Sequence, residues 1–132
     1  MTTLRYILPL CLIVLLFGCK GRDMNEPAKI VYEDNDIDIG TVYQEDTEKV
    51  IEFKITNEGG RSFYLRDVVS SCECTHAEFS TDYVRGGEST IVKVTLNPSM
   101  VEEGPFERLL GVYSNLKNRP DTLSFHGVVK HK

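Results

Sequence analysis

The sequence predicts an all-β protein, an antiparallel β-sandwich of seven or eight short strands, and three observations carry this prediction. Apolar residues recur at every second position through much of the chain, which is the pattern of half-buried strands. Clusters of Gly, Pro and Asn interrupt these runs every 8–12 residues or so, as in β-sandwiches. Beyond residue 18 we find no segment of helical period longer than one or two turns.

The first 18 residues differ from the rest and predict an export signal. A basic residue, Arg5, precedes an apolar run at 6–17 that is shorter than the roughly 20 residues a membrane-spanning helix needs. The run ends in Leu-Phe-Gly-Cys at 16–19, which resembles the bacterial lipobox, where the cysteine becomes acylated. We expect residues 1–18 to be a cleaved lipoprotein signal peptide and Cys19 to carry the lipid. The alternative is an ordinary signal peptide that contains a cysteine.

The segment after Cys19 is polar and aperiodic, so we expect residues 19–28 to be a lipidated tether and residues 29–132 to be one domain. An exported, acylated chain belongs to the bacterial cell envelope. We expect it to be anchored at the outer membrane, on the periplasmic or the surface side. That compartment lies outside the cytosol, so disulfides can form and persist there.

Charge excludes one class of partner. After removal of Arg5 with the signal, 14 basic side chains stand against 20 acidic ones, a net charge of −6. Binding to nucleic acid depends on neutralising phosphates, so we expect no nucleic-acid partner. We expect a monomer, and five of the six Phe and five of the six Tyr residues lie beyond residue 18, where they can supply a small core.

The strands follow from the alternation. Three runs are clear, and their predicted inward residues are Ile51, Phe53 and Ile55 in 49–56, Val92, Val94 and Leu96 in 91–96, and Leu123 and Phe125 in 123–129. Further strand candidates are 30–33, 37–42, 63–69, 76–79 and 106–113. In the last of these Leu109 and Leu110 are both apolar, so the pattern does not say which face is inward. We expect Phe53, Val94 and Phe125 to share one core between two sheets.

The segment Cys72-Glu73-Cys74-Thr75-His76 is the one candidate for chemistry. In an extended strand Cys72, Cys74 and His76 would face the same way, as ligands for copper or zinc. A disulfide instead needs a turn or bulge at Glu73, because two residues of extended strand separate the Cα atoms by about 6.6 Å. Thiols without a ligand tend to oxidise in the envelope, so we favour a local structural disulfide. A metal site and a labile redox pair stay open.

The order of motifs resembles a family of bacterial lipoprotein domains of unknown function, which are similar to the immunoglobulin-like domains of the major sperm protein and its ciliary and centrosomal relatives. The resemblance covers residues 35–130, and its most specific element is Ser71-Cys72-Glu73-Cys74-Thr75. The other matching positions are Gly40-Thr41-Val42, Phe53, Asn57-Glu58-Gly59, Gly87-Glu88, Leu96, Pro98, Gly104, Phe106, Ser114-Asn115 and Gly127. The resemblance implies an immunoglobulin-like fold and an envelope location, and no reaction.

We therefore expect a non-catalytic envelope lipoprotein that acts as a binding or scaffolding module. His126 and His131 are expected on the surface, and the sequence has no serine-hydrolase, phosphate-loop or metalloprotease motif. The expected partners are the membrane, through the lipid, and a protein or glycan of the envelope, without a cofactor. The alternative is a copper, zinc or thiol-redox protein built on Cys72, Cys74 and His76.

Overall fold

Two four-stranded sheets pack face to face in the computed structural model, which describes residues 21–132. The strands are β1 Ile30–Tyr32, β2 Asp36–Tyr43, β3 Lys49–Asn57, β4 Leu65–Ser70, β5 Thr75–Glu78, β6 Ser89–Leu96, β7 Gly104–Ser114 and β8 Asp121–Lys130. The first sheet has the order β1-β3-β6-β5 and the second β2-β8-β7-β4. The predicted all-β sandwich is confirmed. The predicted signal peptide and the lipidation site Cys19 lie outside the described residues.

The core lies between the sheets, and the alternating runs form its walls. Phe53, Val94 and Phe125 are each at most 1% exposed and belong to one apolar cluster, as predicted. Phe106 packs edge-to-face on Phe125, with ring centroids 6.3 Å apart. The structure also settles the face of β7, because Leu110 is buried while Leu109 is exposed. No helix in residues 21–132 has the length and apolar character to cross a membrane.

One strand pair departs from the antiparallel prediction. β1 pairs with β3 in the first sheet, and after a short connection β2 pairs with β8 in the second sheet in parallel. The chain thus changes sheets between Tyr32 and Asp36, so β2 cannot form a hairpin with its sequence neighbour. A bulge between Asp38 and Thr41 lets β2 follow β8, and Gly40 supplies the positive φ of 70° that this bulge requires.

Residues 23–28, which belong to the predicted tether, lie against the domain. The Arg61 amide donates to the Glu26 carbonyl over 2.9 Å. A Cβ on Gly60 would overlap the Asp23 carbonyl oxygen, so only glycine permits this approach of the two backbones. The first contacts of the domain are therefore made several residues before β1.

Asn57 holds this end of the sandwich together. It is fully buried, and its Oδ1 accepts from the amides of Lys29 over 3.1 Å and Gly59 over 2.9 Å. Its Nδ2 donates to the carbonyls of Arg61 over 2.7 Å and Val84 over 3.0 Å. One amide side chain thus joins four separate backbone positions. We call this region, residues 23–29 with the turns at 57–61 and 84–88, the Asn57 end.

Candidate functional site

The two cysteines lie where the chain crosses from the second sheet to the first. β4 is an edge of the second sheet, β5 is an edge of the first, and residues 71–74 form the turn between them. Cys72 and Cys74 are joined by a disulfide, with their Cα atoms 5.2 Å apart. This separation is shorter than that of an extended strand because the chain turns at Glu73. We call residues 70–75, together with Arg108, the disulfide end.

Hydroxyl groups support this turn from both sides. The Cys72 carbonyl accepts from the Ser70 hydroxyl over 3.1 Å, from the Thr75 hydroxyl over 3.0 Å and from the Thr75 amide over 3.3 Å. The Ser70 hydroxyl also accepts from the Cys72 amide over 3.2 Å and contacts the Thr75 hydroxyl. None of these bonds involves sulfur, so the turn has support that does not depend on the disulfide.

Backbone contacts fix the turn to both sheets. The Ser71 amide donates to the Leu109 carbonyl over 3.0 Å, and the Leu109 amide donates to the Ser71 hydroxyl over 3.2 Å. The Asn97 amide, just beyond β6, donates to the Cys74 carbonyl over 2.9 Å. The cysteines are therefore held at a fixed place between β7 and the end of β6.

Arg108 reaches the disulfide from β7. Its side chain has the same parity as the buried Phe106 and Leu110, so it points between the sheets and is half-buried. Its Nε donates to Cys74 Sγ over 3.3 Å, and its guanidinium carbon lies 5.6 Å from the Phe106 ring centroid. Cys72 Sγ accepts from the Cys74 amide over 3.1 Å. Each sulfur of the disulfide thus has an N–H donor.

The predicted metal trio does not share one face. Cys74 is 3% exposed and packs in the core, whereas His76 is exposed on β5. The extended geometry assumed for Cys72, Cys74 and His76 fails because residues 71–74 form a turn. Within residues 21–132, no group of three or more His, Cys, Asp or Glu side chains could hold a metal ion.

His126 lies on the outer face of β8, where the alternation placed it, but it has acidic neighbours. Its Nδ1 lies 3.0 Å from the Asp36 carboxylate, and its Nε2 lies 3.8 Å from that of Asp38. The hydrogen bond to Asp36 raises the pKa of His126 and lowers the pKa of Asp36. His126 and Asp38 border an open cavity of about 590 Å³, which Gly127 also lines. His126, Asp36 and Asp38 are the acidic cluster and its histidine. All of them are well solvated, so the cluster contributes mainly surface charge.

An apolar groove lies on the outer face of the second sheet, beside the disulfide end. Val69 is 49% exposed and Leu109 is 45% exposed. Gly111 is the register partner of Val69, and its missing side chain leaves a depression of about 260 Å³ that Tyr113 also borders. We call these four residues, Val69, Leu109, Gly111 and Tyr113, the outer groove.

Three residues of the two ends were missed by sequence reasoning. Arg108 could be recognised only once the inward face of β7 was known, because Leu109 and Leu110 left that face open. Asn57 belongs to a matching position of the resemblance, but a single Asn before Glu58 and Gly59 is typical of a turn, and nothing in the neighbouring sequence indicates that it is buried. Ser70 precedes the recognised motif by one position, and its contacts with Cys72 depend on the turn.

Comparison with known proteins agrees with this architecture. The profile of a family described as "Protein of unknown function (DUF1573)" matches residues 30–129. A search of curated protein sequences gives no match.

Three solved structures share the fold. A protein of unknown function from Porphyromonas gingivalis W83 is similar with a TM-score of 0.67 at 11% identity, covering 84% of this chain and 51% of that one. This chain therefore spans about half the length of that protein. A PapD-like domain of human CEP192 gives 0.62 at 10% identity, covering 91% and 96%. The periplasmic chaperone SfaE gives 0.51 at 9% identity, covering 79% and 58%. Likeness at this level of identity shows an immunoglobulin-like fold.

Proposed function

Since the chain belongs to the DUF1573 family, whose description names no activity, we propose its function from its own surface. We propose that it is a lipid-anchored, non-catalytic lipoprotein of the bacterial cell envelope that binds a protein partner through the outer groove. The observation that carries this proposal is the grouping of exposed Val69 and Leu109 around Gly111. Scattered surface apolar residues are ordinary, but contiguous ones mark binding sites in soluble domains.

The short distance in sequence between Cys19 and the domain supports the choice of the outer groove as the binding surface. Asp23 follows Cys19 by four positions, and four extended residues span at most about 14 Å. Because Asp23 contacts Gly60, a lipid on Cys19 would hold the Asn57 end near the membrane. In the first sheet Thr75 pairs with Leu96, which lies at the opposite end of β6 from the Asn57 end. The disulfide end and the neighbouring outer groove would then face away from the membrane.

The shape of the groove favours a protein over a glycan. Its exposed walls are aliphatic, and the Gly111 backbone between them offers a flat floor for an apolar side chain of a partner. A Cβ on Gly111 would lie 3.3 Å from Pro120 Cβ, so a side chain there would narrow the depression. The Ser70 and Ser71 hydroxyls that also line the depression already bond to backbone groups, which leaves Tyr113 and Thr122 as its polar groups for a glycan.

Anchoring is tested by changing Cys19. Cys19→Ser should release the protein from the membrane fraction and abolish fatty-acid labelling, because the acylated sulfur is lost. Cys11→Ser is the matched control, since Cys11 lies in the predicted signal peptide and should leave both properties unchanged. Retention of the Cys19→Ser protein in the membrane, with no label on the wild type, would overturn the anchor.

Binding is tested by photo-crosslinking in intact cells. A photoreactive residue at Leu109 should give a discrete protein adduct, whereas one at the exposed Glu52 on the outer face of the first sheet should not. Val69→Asp should reduce the Leu109 adduct by about tenfold or more, while Val50→Asp, similarly exposed on the other sheet, should leave it unchanged. An adduct that glycosidases remove would identify a glycan instead. Equal adducts from both positions would remove the outer groove as the binding surface.

A further inference from the structure

Arg108 has a property that a structural disulfide does not require. Within residues 21–132 it forms no ion pair with a carboxylate. The acids Glu102, Glu103 and Glu107 border the same cavity as the arginine without pairing with it. Its Nη1 donates to the Glu107 carbonyl over 2.8 Å, and its Nε donates to Cys74 Sγ. A hydrogen bond from a cation to an anion is stronger than one to a neutral acceptor, so this Nε would bind a thiolate at Cys74 more tightly than the disulfide sulfur.

We propose that the Cys72–Cys74 disulfide is a thiol–disulfide exchange site, in which an external thiolate attacks Cys72 and Arg108 stabilises Cys74 as the leaving thiolate. This activity goes beyond partner binding and does not depend on the lipid anchor or on the outer groove.

Accessibility decides which sulfur is attacked. Cys72 is half-buried at the turn, next to the exposed Glu73, whereas Cys74 is 3% exposed and packs in the core. Exchange requires the incoming thiolate to reach one sulfur and the other to leave. Cys72 Sγ is therefore the electrophile, and the buried Cys74 Sγ leaves toward the Arg108 guanidinium.

The exchange balances in two steps. In the first, an external thiolate forms a bond to Cys72 Sγ, the Cys72–Cys74 bond breaks, and Cys74 keeps the electron pair as a thiolate. In the second, another external thiolate attacks the external sulfur of the mixed disulfide and releases Cys72 as a thiolate. The protein disulfide gains two electrons, and two external thiols become one external disulfide. The reverse sequence re-forms the Cys72–Cys74 bond and reduces an external disulfide to two thiols.

The fold is suited to survive both states. The bond links residues two apart in sequence, so it constrains little chain entropy. The turn keeps the hydrogen bonds of Ser70 and Thr75 to the Cys72 carbonyl when the sulfur–sulfur bond opens. In the reduced state the Cys74 amide is still placed to donate to the Cys72 sulfur. Opening the disulfide therefore loosens the turn locally and changes its charge, while the hydroxyl bonds keep the crossover in place.

The stabilisation of the Cys74 thiolate by Arg108 is tested by the thiol–disulfide equilibrium with glutathione. The mature, full-length protein in detergent is equilibrated with mixtures of reduced and oxidised glutathione, and the reduced fraction is measured by alkylation and mass analysis. Arg108→Gln should lower the equilibrium constant for reduction about tenfold, which is about 30 mV for this two-electron couple. Arg108→Lys keeps the charge and should recover part of the shift. Arg119→Gln, on the exposed loop before β8, is the matched control and should shift nothing.

The direction of attack is tested with single cysteines. Cys74→Ala leaves the accessible Cys72 and should form a mixed disulfide with oxidised glutathione at least tenfold faster than Cys72→Ala, which leaves the buried Cys74. Thermal melts of the variants confirm that each is folded at the assay temperature. Equal rates for the two variants, or an unchanged equilibrium in Arg108→Gln, would overturn the proposal. The glutathione equilibrium also compares the wild type with Arg108→Lys, so the proposal remains testable if one of the other variants does not fold.

Discussion

The Asn57 end and the disulfide end of the sandwich hold their connecting segments in place by different side-chain interactions. At each end a connecting segment must be held where strands stop pairing, and side chains bond to backbone to do so. At the Asn57 end a neutral, fully buried amide makes four hydrogen bonds, and glycine backbones pack in direct contact. At the disulfide end the turn carries a disulfide and three hydroxyls, the Arg108 cation lies beside it, and Cys72 is half-buried.

The difference separates stability from reactivity. A buried amide with every group paired stabilises the fold, and its removal takes a hydrogen bond from four backbone groups, of which those of Gly59 and Val84 are in buried bonds. A disulfide between residues two apart contributes little to stability, but it places one redox-active residue, the half-buried Cys72, within reach of solvent on a rigid support. We therefore expect the Asn57 end to resist substitution and the disulfide end to tolerate it.

The largest effect is expected for Asn57→Ala. Its loss removes all four hydrogen bonds of the side chain, and unpaired buried groups each cost about 1–3 kcal/mol. We expect the free energy of unfolding in urea to fall by about 4 kcal/mol or more. Asn118→Ala, on the exposed loop before β8, should change it by less than about 0.5 kcal/mol. A decrease in the free energy of unfolding of less than about 1 kcal/mol in Asn57→Ala would show that the Asn57 end does not depend on this side chain.

Phe53→Ala provides a reference from the core that both ends share. Phe53 is 1% exposed between the sheets, and truncation of a buried phenylalanine costs about 3–5 kcal/mol. The neighbouring Lys54 is exposed on the opposite face of β3, so Lys54→Ala should cost less than about 0.5 kcal/mol. Chemical denaturation of the two variants checks this, and equal losses would contradict the register of β3.

Removal of the disulfide should cost much less. The double variant Cys72→Ser, Cys74→Ser opens a ring of three residues, for which chain entropy gives at most about 2 kcal/mol. Urea denaturation at constant pH measures this loss, and the variant should keep the circular dichroism spectrum of the wild type. Unfolding of the variant at room temperature would mean that the disulfide, and not its hydroxyl support, holds the crossover.

The smallest effect is a change in pH dependence at His126. Because Asp36 raises the pKa of His126 above 6.5, the pair stabilises the fold below that value and the contribution is lost as pH rises through the raised pKa. Asp36 has a lowered pKa, so its own contribution is present above about 3.8 and is lost as pH falls through the lowered value. His126→Gln should therefore lose most stability, relative to wild type, near pH 5–6 or so. Thermal melts at several pH values check this, and a difference that grows toward pH 8 would contradict it.

Local sequence patterns predict most of the strands of the fold, but they predict few of the contacts at the two ends of the sandwich. The alternation of apolar and polar residues located β3, β6 and β8 and their inward faces, because every second residue of a half-buried strand is buried. It could not reveal that β2 pairs with β8 in parallel, since pairing partners leave no trace within one strand. Asn57 and Arg108 were missed for a related reason. Asn57 bonds to the backbone of Lys29 and Val84, and Arg108 bonds to the sulfur of Cys74. These partners lie 27 residues or more away in sequence.

Hydrogen–deuterium exchange of the folded protein, before and after reduction of the disulfide, tests the contrast between the ends most directly. We expect the amides of Thr75 and Asn97, which bond to the carbonyls of Cys72 and Cys74, to exchange faster after reduction. The amides of Gly59 and Arg61 at the Asn57 end should keep their protection. Loss of protection at both ends together, or a disulfide that reductant opens only in the unfolded protein, would contradict the account.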